Sequence, residues 1–232
     1  MESLGLAATC YSDIHKYLDD PVYSHTEASY QSTSLLDILN RVRTDKRFHG
    51  LFGTPGNDNL AKTLLAREAA LLDHWNAWKI IETDPVKQFR ETQELATALL
   101  IGTHDNGSEK YDFFLCHVLT TTHAIRILLP LIPGRFQVPL VRQWWLMTLA
   151  LYVAQLRPEI NIDRINKFDL KGRDWNWTAK QAVKNEYSTD PHYVKAIWAL
   201  RDAAMTWGDP EQYYLKAGVR FAGGFIGWDG FV

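Results

Sequence analysis

Apolar residues recur at spacings of three and four along most of the chain, which is the pattern of helices that bury one face. This spacing runs through residues 60–78 and again through residues 85–101. No convincing run shows the alternation of apolar and polar positions that is typical of a half-buried strand. The pattern therefore predicts an all-α protein, folded as a single compact helical domain with long loops.

Capping signals locate the predicted helix starts. Asp-Pro pairs stand before periodic segments at Asp84-Pro85, Asp190-Pro191 and Asp209-Pro210. Aspartate is a favoured N-cap residue and proline is favoured at the first helical position, so each pair predicts a helix N-terminus. Thr33 or Ser34 is predicted to cap a further short helix that follows directly.

The spacing of turn-forming residues predicts the domain organisation. Residues 1–44 form an N-terminal arm, polar and loosely structured before its short helix, and residues 45–232 form the helical domain. Glycine and other turn formers predict a loop at residues 48–59. A long ordered loop is predicted at residues 161–177. Residues 222–232 are rich in glycine and aromatic residues, and they predict a tail that wraps over the helices.

Composition narrows the class of protein. The chain has 232 residues, of which 46% are hydrophobic, and this is enough for a substantial core. The formal net charge is −2 with the signs mixed along the chain, so no nucleic-acid partner is expected. Cys10 and Cys116 are far apart in sequence and predict no disulfide framework, which favours a reducing, cytoplasmic location. Residues 1–20 lack the pattern of a signal peptide.

Two segments approach the length of a membrane span, residues 113–132 and residues 138–156. The first contains His117 and Arg126, and the second contains Arg142. Ionisable side chains are costly inside a bilayer. Both segments are therefore interpreted as buried helices, and no membrane partner is expected.

The segment Lys110–Pro130 combines an apolar helical pattern with two histidines, three consecutive threonines and an arginine. Buried polar groups need hydrogen-bond partners, so this segment is predicted to line a site. On a helix, His117 shares a face with Phe113 and Thr121, whereas His123 lies roughly 120° away. One helix therefore does not direct both imidazoles to one metal ion. The alternative for each histidine is a core residue bonded to a carbonyl group, or a partly exposed one.

A second polar group stands at the start of the helix predicted after Asp190. His192 and Lys195 are three residues apart, so they share one helix face. The functional interpretation is a histidine ligand beside a lysine whose pKa is lowered by burial or which is modified to an acid. The alternative is an exposed first turn. No standard metal motif, dinucleotide fingerprint or phosphate loop accompanies them.

Nine tryptophans are unusual for a chain of this length. One interpretation is that these large amphipathic rings fill the core and its edges. The other is that they line a flat apolar pocket for an aromatic or polycyclic ligand.

The order and spacing of several short motifs resemble the questin oxidase-like family, over roughly residues 45–232. The motifs are the run Asp112–His117, Leu119-Thr-Thr121 with Leu128-Leu-Pro130, the helix with Tyr152 that ends in Arg157-Pro-Glu159, the pattern from Asp190 to Leu200, and Gly-Trp-Asp-Gly at 227–230. The resemblance implies an all-helical oxidoreductase of secondary metabolism. The implied reaction is a Baeyer–Villiger-like oxidative ring opening of an anthraquinone or a related aromatic polyketide, with NADPH but without a recognisable Rossmann domain.

The resemblance also implies a set of site residues. His117 and His192 would be ligands of a non-haem iron, and neutral imidazoles are good ligands for this metal. Lys195 is the candidate modified lysine, and Lys195 and Thr121 are the predicted catalytic residues. The tryptophans and phenylalanines would stack on a flat quinone, and the predicted substrate pocket consists of Phe113, Thr120, Trp144 and Trp145.

The chain departs from the family pattern in one respect. Typical relatives look nearly twice as long, and their N-terminal half carries a histidine-rich segment that should supply further ligands. His15 and His25 do not reproduce its spacing. Two hypotheses therefore stay open. One is an oxidase completed by the arm, by a homodimer partner or by a missing N-terminal half. The other is a catalytically inactive truncated helical remnant or a small-molecule-binding protein.

Overall fold

The periodic segments form helices in a computed structural model that describes residues 15–80, 85–103 and 110–230. The α-helices of these ranges are α1 (Lys16–Asp19), α2 (Pro21–Ser24), α3 (Leu35–Thr44), α4 (Asp58–Ala66), α5 (Glu68–Asn76), α6 (Pro85–Gly102), α7 (Phe113–Leu128), α8 (Gln137–Ala154), α9 (Asp163–Asn166), α10 (Trp175–Lys184), α11 (Pro191–Trp207) and α12 (Tyr213–Gly224). Single 3-10 turns lie at Lys46–Phe48, Leu129–Leu131, Gly134–Phe136 and Pro210–Gln212. The all-α prediction is confirmed. The described residues also contain one parallel pair of two-residue strands, β1 (Tyr111–Asp112) and β2 (Trp228–Asp229).

Helix α7 lies at the centre of the packing and contacts α6, α8 and α11. Its buried face includes Leu115, Cys116, Leu119 and Thr122. Helices α4 and α5 pack on α8, while α12 packs on α10 and α11. The buried residues of these helices form one continuous hydrophobic core. This arrangement leaves part of α7 facing the two neighbours α8 and α11.

The predicted capping residues act as caps where the structure describes them. Ser34 accepts the first-turn N–H that begins α3, and Asp190 accepts two N–H groups at the start of α11. Asp209 is followed by a 3-10 turn, and its carboxylate accepts the N–H groups of Tyr214 and Leu215 inside α12. Asp84 and Cys10 lie outside the described residues. So does most of the segment 1–20, in which no signal-peptide pattern was found.

The continuous helix expected over residues 60–78 is interrupted at Arg67, whose φ of −136° separates α4 from α5. The Arg67 guanidinium donates to the carbonyl groups of Ala66 and Arg47 at this break. Trp78 lies beyond α5 and forms an isolated parallel bridge with Ser32. The apolar periodicity continues across the break because α4 and α5 both pack on α8.

Two further segments differ from the sequence-based expectation. The loop predicted at residues 161–177 contains α9 and the start of α10. The overlooked signal is Asp174, which caps α10 by accepting the N–H of Trp177 across 2.9 Å. Helix α12 extends three residues into the predicted tail. The rest of the tail, as far as residue 230, folds back onto the body because β2 pairs with β1 and places Trp228 beside Tyr111.

The described part of the arm is packed rather than loose. Tyr17 is buried and its hydroxyl donates to Glu68 of α5 across 2.6 Å. His74 of α5 is also buried, and its ring nitrogens lie 2.7 Å from the Tyr30 hydroxyl and 2.8 Å from an Asp45 carboxylate oxygen. Polar side chains that suggested a loose segment are therefore used in a hydrogen-bond network that fixes the arm to α5.

One helix of the described chain, α7 with its following turn (Phe113–Leu131), is long and apolar enough to cross a membrane by length and composition. In the structure this helix contacts three other helices, and 33% of its most apolar window is buried inside the protein. Arg126 on this helix forms an ion pair with Asp202 of α11. These contacts are typical of the central helix of a bundle.

Candidate functional site

The structure brings His117 of α7 and His192 of α11 together. Their ring centroids are 4.9 Å apart, and the ring of Phe113 lies 4.6 Å from each of them. His192 is the second residue of α11, and the Asp190 cap fixes this first turn by accepting the His192 N–H across 2.8 Å. The cap therefore determines which part of α11 faces the start of α7.

Nδ1 of each imidazole lies near an oxygen atom, and only that of His117 is within hydrogen-bond distance. Nδ1 of His117 lies 2.8 Å from the Phe113 carbonyl oxygen, so in the neutral ring Nδ1 carries the proton and Nε2 keeps a lone pair. Nδ1 of His192 lies 3.7 Å from an Asp190 carboxylate oxygen. Burial and the neighbouring His117 lower the pKa of His192, against the opposing effect of Asp190. Its neutral form is therefore favoured. Two imidazoles that can accept a proton or bind an ion thus lie side by side.

Asp190 also ties the histidine pair to the C-terminal tail. The carboxylate oxygen that does not cap α11 accepts a hydrogen bond from Trp228 Nε1 across 2.6 Å. The Trp228 ring lies 5.7 Å from that of Phe113 and 6.4 Å from that of His192. Since β2 holds Trp228 next to β1, the tail closes one side of the histidine pair.

An apolar cleft of about 610 Å³ opens between α7 and α8, with His117 in its wall. This volume lies in the range of small-molecule sites. His192 is not part of the wall and contacts it through His117 and Phe113. Other residues of the wall include Phe114, Thr121, Gln143, Trp144, Met147 and Leu151.

The four predicted pocket residues divide into two pairs. Phe113 and Trp144 line the cleft, whereas Thr120 and Trp145 do not. Thr120 is half-buried and bonds back to a carbonyl of its own helix. Trp145 is fully buried, with its ring 6.0 Å from that of Trp78. Adjacent residues on a helix diverge by about 100°, so one indole faces the cleft while its neighbour fills the core.

The two predicted catalytic residues lie in different surroundings. Thr121 is exposed in the cleft wall, one turn after His117. Lys195 is exposed on α11 and is not part of the wall. Its positive charge nevertheless contributes to the lowered pKa of His192. Lys195 therefore fits the alternative that the sequence left open, an exposed first turn.

His123 faces away from the histidine pair, as helix geometry predicts. Its Nδ1 lies 3.2 Å from a carboxylate oxygen of Asp202 on α11. Arg126, one turn further along α7, pairs with the same carboxylate. His123 therefore belongs to the contact between α7 and α11 rather than to the cleft. His104, interpreted as part of a turn, lies outside the described residues.

The sequence matches the Questin oxidase-like family over residues 1–200. The chain belongs to the questin oxidase-like family. Membership in this family points to an oxidoreductase of polyketide metabolism. The match includes His117, His192 and Lys195. It also includes the arm, and it ends before the Gly-Trp-Asp-Gly run at 227–230. A search of curated protein sequences finds no significant match.

The donor set of this questin oxidase-like chain fits part of an iron site. His117 and His192 supply two imidazoles, whereas catalytic metal sites commonly use three or more protein ligands, such as two histidines and a carboxylate. Within residues 15–80, 85–103 and 110–230, no three histidine, cysteine, aspartate or glutamate side chains group so as to hold a metal ion. Both carboxylate oxygens of Asp190 already accept hydrogen bonds.

Asp112 is a further titratable group near the site, and no role was predicted for it from the sequence. It caps α7 by accepting the Leu115 N–H across 2.9 Å. Burial raises the pKa of Asp112 to about 6, and the charge of Asp229 adds to this effect. A Cβ on Gly230 would lie 3.1 Å from the carboxyl group, so glycine lets the tail cover it. Buried carboxyl groups with a raised pKa are typical of functional sites.

Replacing Asp112 with asparagine is expected to change how stability depends on pH. The folded pKa of about 6 lies above the ordinary value of 3.8. The free energy of unfolding of the wild type therefore receives a contribution that falls as pH rises between these values. Asparagine keeps a capping oxygen but cannot ionise. Urea unfolding at about pH 4 and about pH 8 should show that Asp112→Asn gains stability relative to wild type at the higher pH. An identical pH dependence would contradict this assignment.

Proposed function

We propose that this chain is an oxidoreductase that binds an anthraquinone or a related aromatic polyketide between α7 and α8 and opens one of its rings oxidatively. The observation that carries the proposal is the position of His117 in the wall of the apolar cleft, with its ring 4.9 Å from that of His192. A mostly apolar cleft with a few convergent polar groups is typical of small-molecule sites. Family membership supplies the class of reaction.

The cleft suits a hydroxylated polycyclic ring in both size and chemistry. The aromatic side chains Phe113, Phe114 and Trp144 in its wall can contact the faces or edges of a flat ligand. A phenolic hydroxyl group can donate to the lone pair on His117 Nε2. Transfer of this proton would leave an electron-rich phenolate for the oxidation, so His117 is proposed as a general base.

The proposed ring opening consumes dioxygen and a reductant. One oxygen atom is inserted between a ring carbonyl carbon and its ring neighbour, and the other leaves as water. The resemblance implies NADPH, which would supply the hydride, and solvent would supply the matching proton. Hydrolysis of the resulting cyclic ester opens the ring. In this scheme the apolar walls orient the ring, and His117 holds the phenolic proton.

The family resemblance implies a non-haem iron, and the proposal includes it. When bound, this iron would activate dioxygen. His117 and His192 would hold it through Nε2, and Nδ1 of His117 is already hydrogen-bonded to a carbonyl group. Nε2 of His117 has one lone pair, so His117 would be the base only in the iron-free chain and a metal ligand when iron is bound. Lys195 lies three residues after His192 and is the candidate for a further ligand after modification to an acid.

The second candidate function is small-molecule binding without catalysis. It is favoured by the donor set, in which the described residues contribute two imidazoles and no converging carboxylate. The apolar cleft by itself is enough to bind a flat ligand. The two candidates differ in whether the bound quinone is changed.

Titration with a hydroxyanthraquinone, followed through tryptophan fluorescence, tests the proposed cleft. Saturable quenching is expected because Trp144 lies in the wall. Thr121→Phe fills the cleft and should weaken binding at least about tenfold. Thr206→Phe is the matched control, because Thr206 is also an exposed helical threonine but lies on α11. If both variants bind like wild type, the ligand does not occupy this cleft.

A further inference from the structure

We infer that a second, smaller pocket binds a single aromatic ring that carries an oxygen acceptor. The pocket has a volume of about 130 Å³. It lies among the starts of α6 and α8 and the ends of α7 and α11, and it shares no wall residue with the cleft between α7 and α8. The residues of its wall used below are Trp78, Phe89, Arg126, Leu129, Val141 and Trp207.

The size and walls of the small pocket match one ring. An apolar cavity of about 150 Å³ in another protein is known to hold benzene. Trp78, Phe89 and Trp207 supply aromatic surface, and the rings of Phe89 and Trp207 meet at 60° with centroids 6.3 Å apart. Leu129 and Val141 add aliphatic surface. A polycyclic ligand of the kind proposed for the larger cleft is too large for this space.

Two hydrogen-bond donors belong to residues that line the small pocket. The Trp78 side chain is only 2% exposed, and its indole Nε1 is buried with no hydrogen-bond partner among the described residues. Nε of Arg126 is also buried and has no hydrogen-bond partner among the described residues. Another nitrogen of its guanidinium group pairs with Asp202. Buried donors in native proteins almost always have an acceptor. A phenol or carboxylate oxygen in the pocket would supply one, and a hydrocarbon ring would not.

A row of indole rings lies between the small pocket and the cleft. Trp78 lines the pocket and its ring lies 6.0 Å from that of Trp145, which in turn lies 6.2 Å from that of Trp144 in the cleft wall. These core side chains separate the two spaces. A monocyclic phenol or aromatic carboxylate is therefore expected to bind without competing with the larger quinone.

Phenol, benzoate and toluene are suitable probes for the wild-type chain, with binding measured by calorimetry and by saturation-transfer NMR. Phenol or benzoate should bind at least about tenfold more tightly than toluene, because only they offer an acceptor. Trp78→Phe removes the indole donor but keeps an aromatic ring, and it should reduce this preference. Equal binding of all three probes to wild type, or no binding, would overturn the inference.

Two filling variants and one control locate the probe. Val141→Phe and Leu129→Phe each add a ring to the small pocket, from α8 and from the turn after α7, and each should abolish binding. Having two such variants keeps the test valid if one does not fold. Met147→Phe also adds a ring on α8, but in the larger cleft, and it should bind the probe like wild type. Binding retained in both filling variants, or lost in Met147→Phe, would exclude this pocket.

Discussion

Replacing His117 with glutamine is expected to lower the turnover of a hydroxyanthraquinone at least about a hundredfold, the usual effect of losing a general base. The reason is that Nδ1 of His117 is held by a carbonyl group, so Nε2 presents its lone pair at the cleft. Glutamine is close in size but cannot accept a proton at neutral pH. His117 is only half-buried, so the thermal stability of the variant should stay close to that of wild type.

His192→Gln is expected to cause a loss of similar size, and the double variant should lose little more than either single variant. Residues that act together on one ligand show such non-additive effects, and the two rings are 4.9 Å apart. His123→Gln is the matched control, because His123 lies on the same helix as His117 but faces Asp202. Fully additive losses, or an equal loss in the control, would contradict a shared role for the pair.

Replacing Arg157 with methionine is expected to lower the free energy of unfolding by about 3 kcal/mol. Bonds that involve a charged group contribute about 1.5–3 kcal/mol each, and several bonds from one group do not simply add. Methionine keeps much of the apolar stem but has no donor. The Arg157 guanidinium donates to four backbone carbonyl oxygens, those of Val42, Arg43, Asp45 and Phe48.

The large effect follows from where these carbonyl groups lie. They belong to the end of α3 and the turn after it, where the last carbonyl groups of a helix have few intrahelical donors. Those of Val42 and Asp45 also accept backbone N–H groups. Arg157 reaches them because α8 ends at Ala154 and the chain reverses through the left-handed residues Leu156 and Arg157, with φ values of 63° and 56°. The Arg157 N–H closes this reversal by donating to the Tyr152 carbonyl across 2.9 Å.

Urea unfolding followed by circular dichroism measures the change. Arg157→Lys keeps the charge but not the planar fork of donors, so it should also be clearly destabilised. Glu159→Gln is the control, because the ion pair of Glu159 with Arg43 is exposed and should contribute less than about 1 kcal/mol. Losses below about 1 kcal/mol in both Arg157 variants would show that the carbonyl groups are satisfied without the guanidinium.

The features that could be predicted from the sequence depend on local signals. Ser34 and Asp190 mark the starts of α3 and α11 because a capping side chain bonds to N–H groups two or three residues away. The different directions of His117 and His123, roughly 120° apart, follow from the rotation per residue of a helix. Each of these predictions needs only the geometry of one turn, and the structure confirms each of them.

The features that could not be predicted depend on contacts between distant segments. The apolar pattern continues across the break at Arg67, since both flanking helices pack on α8. The adjacent residues Trp144 and Trp145 look alike in sequence, but only the first lines the cleft. The pKa of Asp112 is raised because the tail covers its carboxyl group near Gly230. Lys195 is exposed because no segment among the described residues covers its side of α11.

The most direct test of the proposed function follows oxygen from the gas into the product. Purified wild type, supplied with iron, NADPH and isotope-labelled dioxygen, is incubated with a hydroxyanthraquinone, and the products are identified by mass spectrometry. The His117→Gln/His192→Gln double variant is treated in the same way. We predict a ring-opened product with one labelled oxygen atom from wild type and almost none from the double variant. If wild type binds the quinone in the cleft but releases it unchanged, the chain is a binding protein and the proposed oxidation is wrong.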